Sequence, residues 1–197
     1  MDKIPYLRKD NFYTNSELSL IMRELNYLTS DNIILSDDAL ESGASSAEMT
    51  TKKALWFSTL YAKQLYSPTW RLADKIFEGA TGELYDLSPV NRIMLDTNTY
   101  GILLSYYEND GYYKRHHDTA HFTGLLWFCN QPQRFTGGDL IFNDTNEVVE
   151  FSNNTLILFP SWADHEVVAT KLDAQYENKQ MGRYCVSIFL NIADKDI

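Results

Sequence analysis

The chain has 197 residues, of which 44% are hydrophobic, and a formal net charge of −10 at pH 7. This length and composition predict one domain spanning residues 1–197, large enough for a sizeable hydrophobic core. The excess of negative charge, without a cluster of Lys and Arg, argues against nucleic acid as a partner, because such a surface repels phosphate backbones.

The sequence also argues against a membrane or secretory setting. We find no run of about 18 apolar residues of the kind that spans a bilayer, and the segment Met1–Pro5 lacks the apolar core of a secretory signal. Cys129 and Cys185 lie in apolar, strand-like runs. We therefore expect buried free thiols in a reducing, cytoplasmic setting; a disulfide between the two is the less favoured alternative.

Residues 1–90 are predicted to be a mainly helical N-terminal support. The segment Thr14–Glu17 has the form of a capping box, and apolar residues follow it at helical spacing. These residues are Leu18, Ile21, Leu25 and Leu28.

A second helix is predicted to begin at Ser67-Pro68-Thr69 and to end at Gly79 or Gly82. One side of this helix would carry Trp70, Ala73, Ile76 and Phe77. Between the two helices, residues 29–53 are rich in Ser, Asp, Thr and Ala, with one strand-like run at Ile33–Leu35. We interpret this segment as a surface excursion slightly in preference to a mobile flap over a site.

The organisation of the chain changes near residue 90. From Tyr100 onward, short alternating or fully apolar runs are separated by turns of Asn, Asp and Gly. This pattern is typical of a β-sandwich or barrel. Residues 91–197 are therefore predicted to form a β-rich core, against which the N-terminal helices pack.

The most informative residues of this core are His116, Asp118 and His165. At the end of a strand, the period of two places His116 and Asp118 on the same side and turns His117 away. His165 follows the apolar run Thr155–Phe159, which predicts a buried strand. Two imidazoles and one carboxylate hold non-haem Fe(II) on one face and leave the other open to substrate and oxygen.

Two other histidines are alternative ligands. All four histidines of the chain fall within fifty residues, and the sequence does not give their distances in space. His117 and His121 could therefore stand in for His116 and His165 as ligands. Strand parity argues against His117. His121 is better interpreted as a bystander at the edge of a strand, with a supporting or substrate-contacting role left open.

Arg183 stands at the start of the apolar segment Gly182–Ile192. Burying an arginine is costly unless an anion meets it. Because a guanidinium donates two parallel hydrogen bonds to a carboxylate, Arg183 is suited to hold a dicarboxylic cosubstrate whose other end chelates the iron. The plainer alternative is that Arg183 pairs with an Asp or Glu of the chain or points to solvent.

Further motifs accompany these residues in a fixed order over about residues 98 to 192. They are Tyr107 and Tyr113, the strand-like Leu125–Asn130, the Gly137-Gly138-Asp139-Leu140 turn, Phe159-Pro160-Ser161-Trp162, and Gly182-Arg183-Tyr184. In this order they resemble the Fe(II)- and 2-oxoglutarate-dependent dioxygenases, and within them the prolyl 4-hydroxylase-like branch.

The resemblance implies a fold, a set of ligands and cofactors. The fold would be a double-stranded β-helix, or jelly-roll barrel, so that the chain is mainly β with N-terminal helices. His116, Asp118 and His165 would bind Fe(II), while Arg183 and Tyr107 would hold the far carboxylate of 2-oxoglutarate. O2 would be the second cosubstrate, with ascorbate as a candidate reductant.

Two positions depart from the pattern of this branch. Asp110 stands where a Gly is frequent, although Gly111 is adjacent, so the turn is expected to be built differently. Cys185 stands where a Ser is frequent, which puts more weight on Tyr107 in binding the cosubstrate. Residues 171–180 are polar and predicted to form a loop, and loops near a site often carry specificity.

The function implied is hydroxylation of an unactivated C–H bond. A prolyl residue in a protein or peptide is the first candidate substrate, and a free amino acid or small metabolite is the second. A non-catalytic metal-binding interaction or sensing protein is the alternative of another class, which has no need of the whole set of residues. A cupin-like metal protein would instead have a His-x-His pair, and Asp118 argues against it.

Overall fold

The computed structural model describes residues 3–30, 35, 44 and 46–193. The α-helices are α1 (Asn15–Leu28), α2 (Phe57–Leu60), α3 (Pro68–Ala73) and α4 (Ala80–Leu87). The strands are β1 (Leu7–Asp10), β2 (Lys53–Trp56), β3 (Thr99–Tyr107), β4 (Tyr113–His116), β5 (Phe122–Cys129), β6 (Phe135–Thr136), β7 (Leu140–Phe142), β8 (Glu147–Val149), β9 (Thr155–Pro160), β10 (His165–Val167), β11 (Lys171–Leu172) and β12 (Arg183–Asn191). Short 3₁₀ helices connect several of these elements, the longest over Pro89–Asp96.

The predicted capping box at the start of α1 is confirmed. The Thr14 hydroxyl accepts a hydrogen bond from the Glu17 backbone N–H at 3.3 Å, and the Glu17 carboxylate accepts one from the Thr14 N–H at 2.7 Å. Two of the helix's otherwise unpaired donors are thereby satisfied. The apolar stripe of α1 is buried at Ile21, Leu25 and Leu28.

The second predicted helix begins where expected but changes character partway. Ser67 caps α3 by accepting from the Trp70 N–H. The α-helical hydrogen bonding ends at Ala73 and continues as a 3₁₀ helix to Phe77, just before Gly79 at φ 111°. Because a 3₁₀ helix has three residues per turn, positions predicted from α-helical spacing rotate away from the core. Phe77, expected on the buried side, is accordingly 38% exposed.

The mainly β fold is confirmed by a six-stranded antiparallel sheet in the order β1-β9-β5-β12-β3-β2. The central strands β5 and β9 are buried along their whole length. The N-terminal region, predicted as helical support, also supplies both edge strands, β1 and β2. Edge strands pair on one side only and do not need a long apolar run, which is why these short segments gave no clear strand signal.

Two smaller sheets complete the β-structure, one in the order β4-β10-β7-β8 and one pairing β11 with β6. Apolar side chains of the six-stranded sheet, among them Trp127 and Phe159, pack in one cluster with Leu140 and Phe142 of the four-stranded sheet. The opposite face of the large sheet packs against α1, α3 and α4. This layering agrees with the mainly β fold with N-terminal helices that the sequence predicts; closure of the sheets into a barrel stays a prediction.

Three smaller expectations can be compared with the fold. The polar segment 171–180 is largely irregular, as predicted, but includes β11 and a 3₁₀ turn at Ala174–Tyr176. Ile33 and Ile34 of the expected strand, and most of the proposed flap, lie outside the described residues. Cys129 and Cys185 are free and buried, as predicted.

Within the part of the chain that the structure describes, we find no helix with the length and apolar character of a membrane span.

Candidate active site

The three predicted ligand residues come together where the four-stranded sheet meets the large one. His116 ends β4 and His165 begins β10, and the two residues are direct partners in the antiparallel pairing of these strands. Asp118 follows two residues after the end of β4. One potential ligand atom of each residue lies within 4.8 Å of the others. The fold thus supplies the distant third residue from a neighbouring strand, as the sequence predicts.

Backbone carbonyls orient both imidazoles. His116 Nδ1 lies 2.8 Å from the Lys114 carbonyl oxygen, and His165 Nδ1 lies 2.9 Å from that of Ala163. Because a carbonyl only accepts, each Nδ1 must carry the proton, and each Nε2 keeps its lone pair. Both Nε2 atoms face Asp118, at 3.7 Å from one or the other of its carboxylate oxygens. This donor set fits a divalent metal ion.

A short chain of hydroxyl groups holds Asp118. The Thr123 hydroxyl donates to Asp118 Oδ2 at 2.6 Å, and Ser161 Oγ lies 2.7 Å from the same hydroxyl oxygen. The single hydroxyl proton of Thr123 is already used in the hydrogen bond to the carboxylate. Ser161 is therefore the donor in its hydrogen bond with Thr123. The Asp118 N–H also donates to the Ser161 carbonyl at 3.1 Å. The role of Thr123 was not predicted from the sequence. Its contact with Asp118 depends on how the loop between β4 and β5 folds, and local spacing does not show this.

The electrostatics of the site favour an uncharged His116. The pKa of His116 is lowered to about 4, mainly by burial. The neighbouring His165 also lowers this pKa, and its effect is larger than the opposite effect of Asp118. The Tyr113 ring stacks on the His116 ring with centroids 3.6 Å apart. His116 is therefore neutral at physiological pH, the form in which an imidazole binds a metal.

The alternative histidines do not join this cluster. The side chain of His117 is 67% exposed and its Nδ1 lies 3.7 Å from Asp164 Oδ1. His121 is exposed, and its Nδ1 lies 3.2 Å from the Asn191 side-chain oxygen. The argument from strand parity therefore agrees with where His117 points.

Arg183 is completely buried at the first position of β12. Among the residues that the structure describes, none forms a hydrogen bond with any of its three guanidinium nitrogens. The rings of Tyr107, Trp127 and Phe151 surround the guanidinium carbon at 5.0, 5.2 and 5.5 Å. Neither plainer alternative, an internal ion pair or exposure to solvent, describes this arginine. Its unmet donors fit the free carboxylate of a dicarboxylic acid.

The glycine turn before β7 makes room for Arg183. Gly137 and Gly138 have φ values of 72° and 76°, in the left-handed region that favours glycine. A Cβ on Gly138 would lie 2.7 Å from Arg183 Cδ. The turn therefore lies directly against the guanidinium side chain.

Tyr107 and Cys185 line the same cavity as the three ligand residues. Tyr107 is the direct β-sheet partner of Arg183, so both side chains lie on the same face of the large sheet. In the turn that follows β3, Asp110 adopts a φ of 60°, a conformation that Asp tolerates better than most residues.

The cavity also contains a lysine that was not predicted from the sequence. Lys52, just before β2, is 5% exposed and lines the cavity with His116, Asp118 and His165. Burial lowers its pKa to about 8, and the nearby Cys185 and Asp118 oppose that shift. Lys53 is adjacent to it, and nothing in the sequence indicates which of the two lysines points inward.

Comparison with known proteins agrees with this geometry. A family model described as the 2OG-Fe(II) oxygenase superfamily matches residues 102–191, the segment that contains all five predicted site residues. A search of curated proteins finds no significant match.

Similar solved structures include a Pseudomonas putida prolyl-4-hydroxylase, with a TM-score of 0.64 and 14% identity over 98% of this chain and 95% of that one. The 2OG complex of a viral collagen prolyl hydroxylase from Paramecium Bursaria Chlorella virus-1 has a TM-score of 0.57 and 14% identity over 96% and 97% of the two chains. A non-heme alpha ketoglutarate dependent epimerase, SnoN from nogalamycin biosynthesis, has a TM-score of 0.52 and 12% identity over 94% and 77%.

At these identities the structures establish a shared fold, and that fold supports more than one reaction. The family-model match adds a likeness in sequence over residues 102–191. Residues 102–191 thus match the 2OG-Fe(II) oxygenase superfamily in sequence, and the chain as a whole has the fold of the prolyl 4-hydroxylases.

Proposed function

We propose that this chain is an Fe(II)- and 2-oxoglutarate-dependent dioxygenase that hydroxylates an unactivated C–H bond. In this proposal His116, Asp118 and His165 bind the metal, and Arg183 with Tyr107 binds the far carboxylate of 2-oxoglutarate. The observation that carries it is Arg183, fully buried without a hydrogen-bond acceptor among the described residues. A buried guanidinium of this kind is costly unless a ligand carboxylate completes it.

Each residue has a role that follows from its surroundings. When bound, Fe(II) and 2-oxoglutarate supply the oxidising power, since oxidative decarboxylation to succinate and CO2 lets one oxygen atom of O2 enter the C–H bond. The backbone carbonyls of Lys114 and Ala163 fix the histidine tautomers. The Thr123 hydroxyl fixes the Asp118 carboxylate. The apolar part of the cavity wall excludes water and consists of Leu103, Leu125, Val167 and Phe189.

The substrate is proposed on narrower grounds. A prolyl residue in a protein or peptide is supported by the prolyl hydroxylases of similar fold. A free amino acid or small metabolite is the second candidate, and the buried ammonium of Lys52 in the cavity favours it. A non-catalytic binding or sensing protein has less support, because it would not need an unpaired Arg183.

The test is a substrate screen that measures succinate formed from 2-oxoglutarate, in the presence of Fe(II), O2 and ascorbate as a candidate reductant. We expect a stimulating compound in the wild type and loss of succinate formation in His165→Ala. His121→Ala is the matched control, since His121 is exposed and stands outside the cluster. Succinate formation that survives unchanged in His165→Ala would show that the ligand assignment is wrong.

A further inference from the structure

Lys52 places a second cation beside the one already assigned to 2-oxoglutarate. In the pairing of β2 with β3, Lys53 is opposite Tyr106. Continuing this antiparallel register by one residue sets Lys52 opposite Tyr107, and Tyr107 is in turn opposite Arg183. Residues opposite one another in a sheet point to the same face. Lys52, Tyr107 and Arg183 therefore form one row across the inner face of the large sheet.

The ammonium group of Lys52 has no anionic partner within the part of the chain that the structure describes. Its Nζ lies 4.3 Å from the centroid of the Tyr113 ring, a cation–π contact. No carboxylate among the described residues is within 4.0 Å of it. A lysine that only filled space would extend its ammonium to water. Lys52 as a whole is instead 95% buried, and its side chain lines the cavity.

When Fe(II) and 2-oxoglutarate are bound, the formal charges of the site balance without Lys52. The two positive charges of Fe(II) and that of Arg183 are matched by Asp118 and by the two carboxylates of 2-oxoglutarate. As metal ligands the two imidazoles count as neutral, because each Nδ1–H donates a hydrogen bond to a carbonyl and each Nε2 offers its lone pair to the metal. One buried positive charge, the ammonium of Lys52, remains without a counter-ion, and a further bound anion would balance it.

We infer that Lys52 binds a carboxylate of the primary substrate, which is therefore a free amino acid or another small carboxylic acid. This inference rests on the proposed function and deepens it. The substrate carboxylate would receive charge-assisted hydrogen bonds from Nζ inside the cavity, so that a C–H bond of the same small molecule is held near the metal. An internal prolyl residue of a peptide has no such carboxylate, and the inference thus favours the second of the two candidate substrates.

The experiment uses compounds in matched pairs that differ by one charge. The panel contains the twenty amino acids and L-proline homologues as free acids, each with its primary amide, together with an uncharged prolyl peptide blocked at both ends. Each compound is tested for stimulation of succinate formation and, without oxygen, for a change in the visible charge-transfer band of the enzyme loaded with Fe(II) and 2-oxoglutarate. We expect a free acid to act in both assays, with its amide at least tenfold weaker.

Two lysine variants then separate the role of Lys52 from that of charge in general. Lys52→Met should raise the KM for the active acid at least tenfold with a much smaller effect on kcat, while the affinity for 2-oxoglutarate stays within about twofold. Lys52→Arg should recover part of the loss. Lys53→Met is the matched control, since Lys53 lies on the opposite face of the same strand beside Tyr106 and Glu108, and we expect no change in KM.

Several outcomes would overturn the inference. These are activity with the amide or the blocked peptide equal to that with the acid, no active acid in the panel, or an unchanged KM in Lys52→Met. A tenfold loss of 2-oxoglutarate affinity in Lys52→Met would assign Lys52 to the cosubstrate instead. If the wild type gives no charge-transfer band with Fe(II) and 2-oxoglutarate, the proposed function itself fails, an outcome distinct from all of these.

Discussion

At the scale of single residues, the site depends on polar groups whose partners are either supplied by the fold or left for ligands. The two imidazoles and Asp118 are fully oriented from within the chain, by carbonyls and by the Thr123 hydroxyl. Arg183 is buried, and its three guanidinium nitrogens have no acceptor among the described residues. Lys52 is also buried, and no carboxylate among those residues lies within 4.0 Å of its ammonium group. This contrast predicts different effects of substitution at the two kinds of position.

Arg183→Met should lower the affinity for 2-oxoglutarate by at least about thirtyfold, because removing one partner of a buried charge pair costs about 2–5 kcal/mol. Arg183→Lys should lose less, since it keeps the charge but not the two-pronged geometry. The ligand-free protein should be no less stable with Met, since an unpaired buried charge is removed. Titration of the charge-transfer band measures the affinity. An affinity within twofold of the wild type in Arg183→Met would contradict the assignment.

Thr123→Val should weaken Fe(II) binding by about 10- to 100-fold, the usual effect of removing a hydrogen bond that orients a ligand residue. Val keeps the branched shape of Thr, so packing is little changed. Thr155→Val is the matched control. Thr155 also donates to a carboxylate, that of Asp10, but it lies at the start of β9, away from the metal ligands. Metal titration of both variants decides the matter. Equal Fe(II) affinity in Thr123→Val and wild type would mean that Thr123 does not position Asp118.

Lys52→Met should stabilise the ligand-free protein at pH 7 by on the order of 2 kcal/mol, because it removes a buried charge. Burial lowers the pKa of Lys52 in the folded state to about 8 from its ordinary value of 10.5. The unfolded chain therefore binds more protons between these pH values, and the wild type gains stability as the pH rises through them. The advantage of Met should thus shrink from pH 8 to 10.5 in denaturant titrations. A difference independent of pH would argue against a buried ammonium.

At the scale of elements, local signals were the easiest to interpret. The Thr14–Glu17 capping box and the Gly137-Gly138 turn each depend on neighbouring residues, and both are present. The 3₁₀ continuation of α3 and the edge strands β1 and β2 depend on packing partners far along the chain. For the same reason the inward direction of Lys52, set by its pairing with β3, could not be found from the residues around it.

Gly138→Ala should lower the affinity for 2-oxoglutarate while leaving Fe(II) binding largely intact. An added Cβ would come within 2.7 Å of Arg183 Cδ, at a φ of 76° that alanine rarely adopts. Gly82→Ala is the control. Gly82 lies in α4, and a Cβ added there would meet nothing within 4 Å. Separate titrations with metal and with cosubstrate distinguish the two effects. Equal losses of both ligands in Gly138→Ala would indicate general unfolding instead of a displaced Arg183.

At the scale of the whole molecule, the large sheet joins distant parts of the chain into one site. Lys52 comes from one edge, Tyr107 and Arg183 from its interior, and the ligand residues from the smaller sheet packed against it. The order of motifs in the sequence was enough to predict the mainly β fold and the residues that meet. The charge left unpaired among them, on which our view of the substrate depends, required the packing of the strands.

The central claim is that His116, Asp118, His165 and Arg183 together bind Fe(II) and 2-oxoglutarate. The most direct measurement is the visible absorption spectrum after both are added without oxygen. We expect a metal-to-ligand charge-transfer band in the wild type that is absent in His165→Ala and requires far more 2-oxoglutarate in Arg183→Met. A wild type that shows no such band, or a His165→Ala variant that retains it, would contradict the account.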